Sequence, residues 1–245
     1  MRQLREVGPT LIQFVLPPQV SAVEAHGDDP DPVLCAEEEE LVAAATPGRR
    51  AEFATTRRCA RDALAHLGHL PTPIGQGPRR EPLWPDGTLG SLTHCARYRA
   101  AAVALRSTLT GLGIDAEPHE PLPPGVDRLV VVQDERPMLA RLHAGRPDVY
   151  WDRVLFCAKE AVYKAWYPAA RTWLGFDDVS VTLDPVARSF TATLLRPWPT
   201  ATGITLGALP GRFAVEAGLI LACATIPPAT VLVASPASTT AGRAP

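Results

Sequence analysis

Lysine is almost missing from this chain. Of its 24 basic side chains, only Lys159 and Lys164 are lysines; the rest are arginines. No charge of one sign dominates either. The formal net charge of −2 argues against a general polyanion binder such as a nucleic-acid protein, while leaving room for a local basic pocket. The five cysteines, Cys35, Cys59, Cys95, Cys157 and Cys223, are odd in number, and no two stand at a C-x-x-C spacing. That pattern indicates neither a zinc site nor a disulfide framework, and reduced, cytosolic thiols are expected. Long apolar runs are missing as well. The longest, around Ala217 to Ile226, is too short to cross a membrane, and no apolar stretch follows Arg2 and Arg5 as a signal peptide would require. What remains is an ordinary globular composition, 46% hydrophobic and 20% charged over 245 residues, enough for one large domain or two small ones.

Periodicity and punctuation place the elements. A short helix is expected over Glu37 to Ala45, stopped by Pro47-Gly48, and a longer one from about Arg49 to Leu67, closed by Gly68. On the longer helix Arg50, Arg57 and Arg61 share a side, with Arg49 nearby; a solvated basic face is the bland alternative to a binding face. The Pro- and Gly-rich stretch from Leu70 to Gly90 reads as loop. Strands are expected over Ala100 to Leu105, Leu109 to Ala116, Phe176 to Leu183, Ile204 to Leu206, Phe213 to Val215 and Leu219 to Ile226. Val126 to Val132 fits strand or helix. The clearest helix runs from Asp148, as its cap, to Tyr167, with Pro168 after its end. The residues after Pro227, rich in Ala, Pro, Ser and Thr, read as a loose tail. Each half reads as a helix with strands, without an evident repeat, and a boundary falls near Thr108 to Thr110.

Three short stretches carry chemistry. In "GIDAE", a strand puts Asp115 and Glu117 on one face, where two carboxylates repel unless a cation or proton lies between them. A hard divalent ion suits such oxygens, and the Ala116 carbonyl could reach it; two solvated acids at a strand end are the alternative. In "FCAKEAVYK", Glu160 and Lys164 are four apart, a spacing that in water gives an ordinary ion pair worth about 0.3–0.5 kcal/mol. Here apolar neighbours such as Val154, Leu155, Val162 and Trp166 set Lys159, Glu160 and Lys164 beside packed surface. A carboxylate and compact ammoniums there would suit a pyrophosphate on Mg²⁺. In "GSLTHC", His94 follows small polar residues after a loop, where a ring N–H and backbone amides could meet a phosphate.

Together these stretches resemble the Sfp-type 4′-phosphopantetheinyl transferases, especially the enterobactin-synthase-component-D-like and actinobacterial members. The pieces stand in the family's order: "RRAEFATTRRCARDALAHLG" (49–68), "EPLWPDGTLGSLTHC" (81–95), "GIDAEPHEPL" (113–122), "WDRVLFCAKEAVYKAWYP" (151–168) and "WLGFDDVSV" (173–181). The resemblance covers most of residues 35 to 185. It implies an α+β fold built as a pseudo-twofold pair of similar subdomains, 1–108 and 109–227, followed by a tail over 228–245. Coenzyme A and Mg²⁺ (Mn²⁺ being an alternative) would sit in the cleft between the subdomains. The implied reaction moves the 4′-phosphopantetheine arm of coenzyme A to a serine of an apo acyl or peptidyl carrier protein and releases 3′,5′-ADP. The implied partners are carriers of fatty-acid, polyketide or nonribosomal-peptide synthases, with a monomeric, cytoplasmic enzyme and neither nucleic acid nor membrane involved.

Carried over residue by residue, Asp115, Ala116, Glu117 and Glu160 match the metal site, and Glu160 also matches the proposed general base. Lys159 matches the lysine that neutralises the pyrophosphate, and Lys164 the next lysine along that helix. Arg49 and Arg57 match the residues holding the 3′-phosphoadenosine end, and His94 the histidine on the 3′-phosphate, with Thr93 beside it. Some relatives carry a lysine at about Gln76; here Arg79 and Arg80 are its alternatives for a phosphate contact. Two other classes compete with this reading. One is a catalytically silent module that binds coenzyme A or a carrier, against which the intact acids argue. The other is a thioester-using acyltransferase with Cys157 as nucleophile, which fits poorly at mid-helix without a paired histidine.

Overall fold

The computed structural model describes residues 10–31, 33–195 and 207–228. The expected strand at Ile204 to Leu206 and the tail from 229 onward lie outside the described residues. The fold is α+β, with helices packed on antiparallel sheets. The N-terminal half holds β1 (Ser21–His26), α1 (Ala36–Leu41), α2 (Pro47–Ala65), a small hairpin of β2 (Gly75–Gln76) and β3 (Pro82–Leu83), β4 (Thr88–Cys95) and β5 (Tyr98–Leu105). The C-terminal half holds β6 (Gly111–Pro118), α3 (Asp127–Val130), α4 (Arg136–Gly145), α5 (Trp151–Ala170), β7 (Val179–Asp184), β8 (Ser189–Leu194), β9 (Ala208–Glu216) and β10 (Leu219–Ile226). A three-stranded sheet in the order β1-β5-β4 carries α2, and a five-stranded sheet in the order β6-β10-β9-β8-β7 carries α5.

The alanine-rich β5 is buried on both faces, so it reads as a continuous apolar run instead of an alternation. Ala101 and Val103 pack beneath α2 against Cys59, Ala60, Ala63 and Leu64. Ala100, Ala102 and Ala104 face the opposite way, toward Leu112, Ile114 and the N-terminal residue Ile12. The third and largest core surrounds α5.

The two sheets meet along β4 and β6, which run side by side. Hydroxyls take the place of backbone ladder bonds there. The N–H of Ile114 donates to Ser91 Oγ (3.0 Å) and that of Ala116 to Thr93 Oγ (2.9 Å). On its α5 side β6 presents Gly111 and Gly113. A Cβ on Gly113 would collide with the Ala161 carbonyl, so glycine lets the strand press onto the helix. That close approach carries Asp115, two residues on, against the same helix.

Several local expectations change. Asp148 does not cap α5: it pairs with Arg146, and the N-cap is Tyr150, without a side-chain cap. Pro168 lies inside the last turn, and the helix ends only at Arg171, in the left-handed conformation (φ 55°). Phe176 to Asp178 form a 3₁₀ turn, so the strand there starts at Val179. Val126 to Val132 yields the short α3. The stretch expected as loop from Leu70 to Gly90 contains the β2–β3 hairpin and the start of β4, so His94 stands in a strand.

Candidate active site

Between α2, β4, the β2–β3 hairpin and α5 lies a pocket of about 330 Å³. Arg49, Arg57, Arg80, Thr93, His94, Glu160 and Lys164 all line it, as do the two further phosphate candidates Gln76 and Arg79. Beside it is an apolar recess of about 210 Å³ bounded by Leu174, Phe176, Val179 and Trp173; Glu160 and Tyr163 border both spaces.

Helix α2 builds the basic end. Arg57 is 3% exposed; its Nε donates to the Ile74 carbonyl (3.0 Å) and its guanidinium lies 4.2 Å from the Phe53 ring centre. Nη2 of Arg57 is buried with no partner. An orphaned cationic donor in a pocket is a place for an anion to bind. Burial pulls this guanidinium down to about 10. The other two arginines of the expected basic face have partners instead: Arg61 holds the buried Glu38 at 2.7 Å, and Arg50 pairs with Glu39.

His94 reaches the same end from β4. Its Nε2 meets Arg49 Nη1 at 3.0 Å, and its Nδ1 faces Glu52 Oε1 at 3.3 Å. A neutral ring with the proton on Nδ1 satisfies both contacts. Burial, followed by the cations Arg49, Lys164 and Arg99, pulls His94 down to about 4. Arg79 and Arg80 stand on the hairpin turn. The N–H of Arg79 donates to Glu81 Oε2 (2.9 Å), while Glu81 Oε1 accepts from Arg171 (2.7 Å).

The acidic end rests on β6 and α5. Asp115 Oδ1 accepts from Lys164 Nζ (2.6 Å) and from the Thr93 hydroxyl (3.3 Å). Its Oδ2 is buried without a partner. Glu117 is held by Arg153 (2.6 Å), whose guanidinium also donates to the carbonyls of Glu120 and Pro121. Burial and then the charge of Asp115 raise both Glu117 and Glu160 above the usual carboxylate range; Arg153 opposes the shift at Glu117 and Lys164 the shift at Glu160. Burial disfavours the Lys164 ammonium, but Asp115 more than offsets this and the net shift is upward.

Two carboxylates raised by the charge of Asp115, and one orphaned oxygen of Asp115 itself, carry the chemistry that suits a hard divalent cation. The N–H of Ala116 points to β4, and in an extended strand its carbonyl points the same way, outside the β6–β10 ladder. Among the described residues, however, no group of three or more His, Cys, Asp or Glu stands arranged to hold a metal ion. Lys164 and Arg153 neutralise Asp115 and Glu117 instead.

Lys159 does not line the main pocket; it borders the apolar recess beside Glu160. Its ammonium is fully buried and bonds Glu135 Oε2 (2.9 Å), the Val130 carbonyl (2.8 Å) and the Phe176 carbonyl (2.9 Å). Helical spacing carries the signal. Leu155, Val162 and Trp166, at i−4, i+3 and i+7 from Lys159, are all 0% exposed. Cys157 is buried too, with a thiol raised well above its ordinary value, which removes it as a nucleophile. Sequence reasoning missed Phe53, Arg153, Tyr163 and Trp173. The aromatic ones could have been found as the partners of Arg57 and of the open face of α5.

No described helix is long and apolar enough to cross a membrane. Residues 37–104 match the model of the 4′-phosphopantetheinyl transferase N-terminal domain, and residues 111–210 that of the 4′-phosphopantetheinyl transferase superfamily. The chain is 49% identical over 212 residues to the 4′-phosphopantetheinyl transferase Svp of Streptomyces mobaraensis, covering 86% of this chain and 83% of Svp. It is 44% identical over 220 residues to PptT of Mycobacterium tuberculosis, covering 86% of this chain and 96% of PptT. Enterobactin synthase component D of Salmonella typhi is 33% identical over 134 residues, 55% of each chain. The chain belongs to the 4′-phosphopantetheinyl transferase superfamily and is an enzyme of that kind.

Proposed function

We propose that the enzyme transfers the 4′-phosphopantetheine arm of coenzyme A to a serine of an apo carrier protein, with Mg²⁺, and releases 3′,5′-ADP. The observation that carries this reading is one pocket lined by residues of both matched segments, with Arg49, Arg57 and His94 at one end and Glu160 and Lys164 at the other, where Asp115 lies behind Lys164 and Thr93. Arg49, Arg57 and His94 take the 3′-phosphate, and the orphaned Nη2 of Arg57 supplies a ready donor. Arg79, Arg80 and Gln76 border the route of the remaining phosphates, and Lys164 takes the pyrophosphate. The apolar recess suits the pantetheine arm.

Asp115, Glu117 and Glu160, with the Ala116 carbonyl, would hold the Mg²⁺, whose charge offsets that of the pyrophosphate oxygens. Glu160 borders the pocket and the recess, where the arm and the phosphate meet. From that position its carboxylate can accept the proton of the serine hydroxyl. The serine oxygen bonds to the β-phosphorus as the bond from that phosphorus to the bridging oxygen breaks. That oxygen leaves with 3′,5′-ADP. The two halves form a pseudo-twofold pair with a boundary near Thr108 to Thr110, which the matched segments support. The enzyme works as a monomer in the cytoplasm on carriers of fatty-acid, polyketide or nonribosomal-peptide synthases.

The test is incubation with coenzyme A, Mg²⁺ and a panel of apo carriers. At least one carrier is expected to gain the mass of phosphopantetheine. Coenzyme A binding without a mass gain on any carrier class would favour a silent binding module.

A further inference from the structure

Lys159 and Glu160 are neighbours in sequence, but their side chains leave α5 about 100° apart. Glu160 faces the pocket with Tyr163 and Lys164. Lys159 points into the core, where its three ammonium hydrogens meet three acceptors: Val130 O, Glu135 Oε2 and Phe176 O. Glu135, 1% exposed, also accepts the N–H of Val132 (2.9 Å) and of Val181 (2.7 Å). One buried ion pair therefore ties α5 to α3, to the turn at Glu135, to the turn at Phe176 and to β7. Phe176 and Val179, from the last two of these, wall the apolar recess, which the Lys159 side chain also borders while its ammonium stays bonded beneath.

We infer that Lys159 is a positioning residue, a buried pin that fixes the rotation of α5 and anchors the Phe176 wall of the recess without touching the pyrophosphate. The inference rests on the proposed function for what the recess holds. It also accounts for a lysine in a chain that otherwise uses arginine. Three donors match three acceptors, whereas a guanidinium would bring five donors on a broad plane and leave some buried and unpaired.

The wild-type protein offers a direct test, because only Lys159 and Lys164 carry lysine amines. Acetylation with an N-hydroxysuccinimide ester, mapped by peptide mass spectrometry, is expected to modify Lys164 in the free protein and to be blocked there by coenzyme A. Lys159 is expected to stay unmodified with and without coenzyme A. Modification of Lys159 in the folded free protein at a rate comparable to Lys164 overturns the inference.

Variants supply the second arm. Lys159→Met leaves a buried carboxylate unpaired and shifts the wall, and is expected to lower transfer about a hundredfold. Affinity for coenzyme A should fall while that for 3′,5′-ADP, which lacks the arm, stays unchanged. Adding Glu135→Gln makes the pair neutral, although its single oxygen can keep only one of the two backbone N–H contacts of Glu135. The double variant is expected to regain part of the transfer. A folded double variant that stays inactive, or an equal loss of 3′,5′-ADP affinity in Lys159→Met, overturns the inference. Absence of carrier modification by the wild type would instead overturn the proposed function, and the labelling of the free protein would still decide on the pin.

Discussion

The two ends of the pocket are prepared in opposite ways. At the basic end, Arg57 is buried, stacked and short of one hydrogen-bond partner, and His94 is neutral with its tautomer fixed by Glu52 and Arg49. That end is preorganised for an anion. At the acidic end, Asp115 and Glu117 already hold Lys164 and Arg153, and the carboxylates are not arranged as a coordination shell. On the proposed function, that end must exchange partners before it can hold a cation. The difference would then separate binding from chemistry: the first end would hold the nucleotide whether or not the second is assembled.

Asp115→Asn and Glu160→Gln strike the second end alone. Each is expected to cut carrier modification by at least about a thousandfold. Titration calorimetry should give unchanged 3′,5′-ADP affinity for both. A parallel loss of nucleotide binding would collapse the distinction between the ends.

Arg57→Met strikes the first end. Loss of one charge-assisted contact should weaken coenzyme A binding about ten- to a hundredfold. Dephospho-coenzyme A, lacking the 3′-phosphate, should bind this variant as it binds the wild type. Equal weakening of both ligands would place Arg57 elsewhere on the nucleotide.

The smallest effect is on stability. Folding lowers His94 from its ordinary 6.5 to about 4, so between these values the unfolded chain takes up the proton and the folded one does not. The stabilising contribution is present above pH 6.5 and is lost as pH falls toward 4. Thermal melts of His94→Gln should show a flatter pH dependence across that window than the wild type. An unaltered slope would mean that other groups carry it. His94 is partly exposed, so the difference will be modest.

Much of this was legible where a motif lies on one element. Asp115 and Glu117 on a strand, and Glu160 and Lys164 on a helix, keep their spacing in the fold. Lys159 shows the limit. Its family match named a phosphate contact, while the apolar stripe at Leu155, Val162 and Trp166 already pointed into the core. Strands β1 and β8 were missed because "SAVEAH" and "SFTATL" carry small or polar residues whose burial comes from their neighbours. Arg153 could not be found by spacing, since its partners Glu117, Glu120 and Pro121 meet it only across the tertiary fold.

The hydroxyl seam between β4 and β6 has a mechanical consequence. A backbone ladder shares any strain among many equivalent bonds and hides it. Here the Thr93 oxygen alone grips both the Ala116 amide and the Asp115 carboxylate. Any parting of the two sheets at that point must pull on the acid itself. The joint that holds the halves together thus also serves as a strain gauge wired to a carboxylate just behind the pocket.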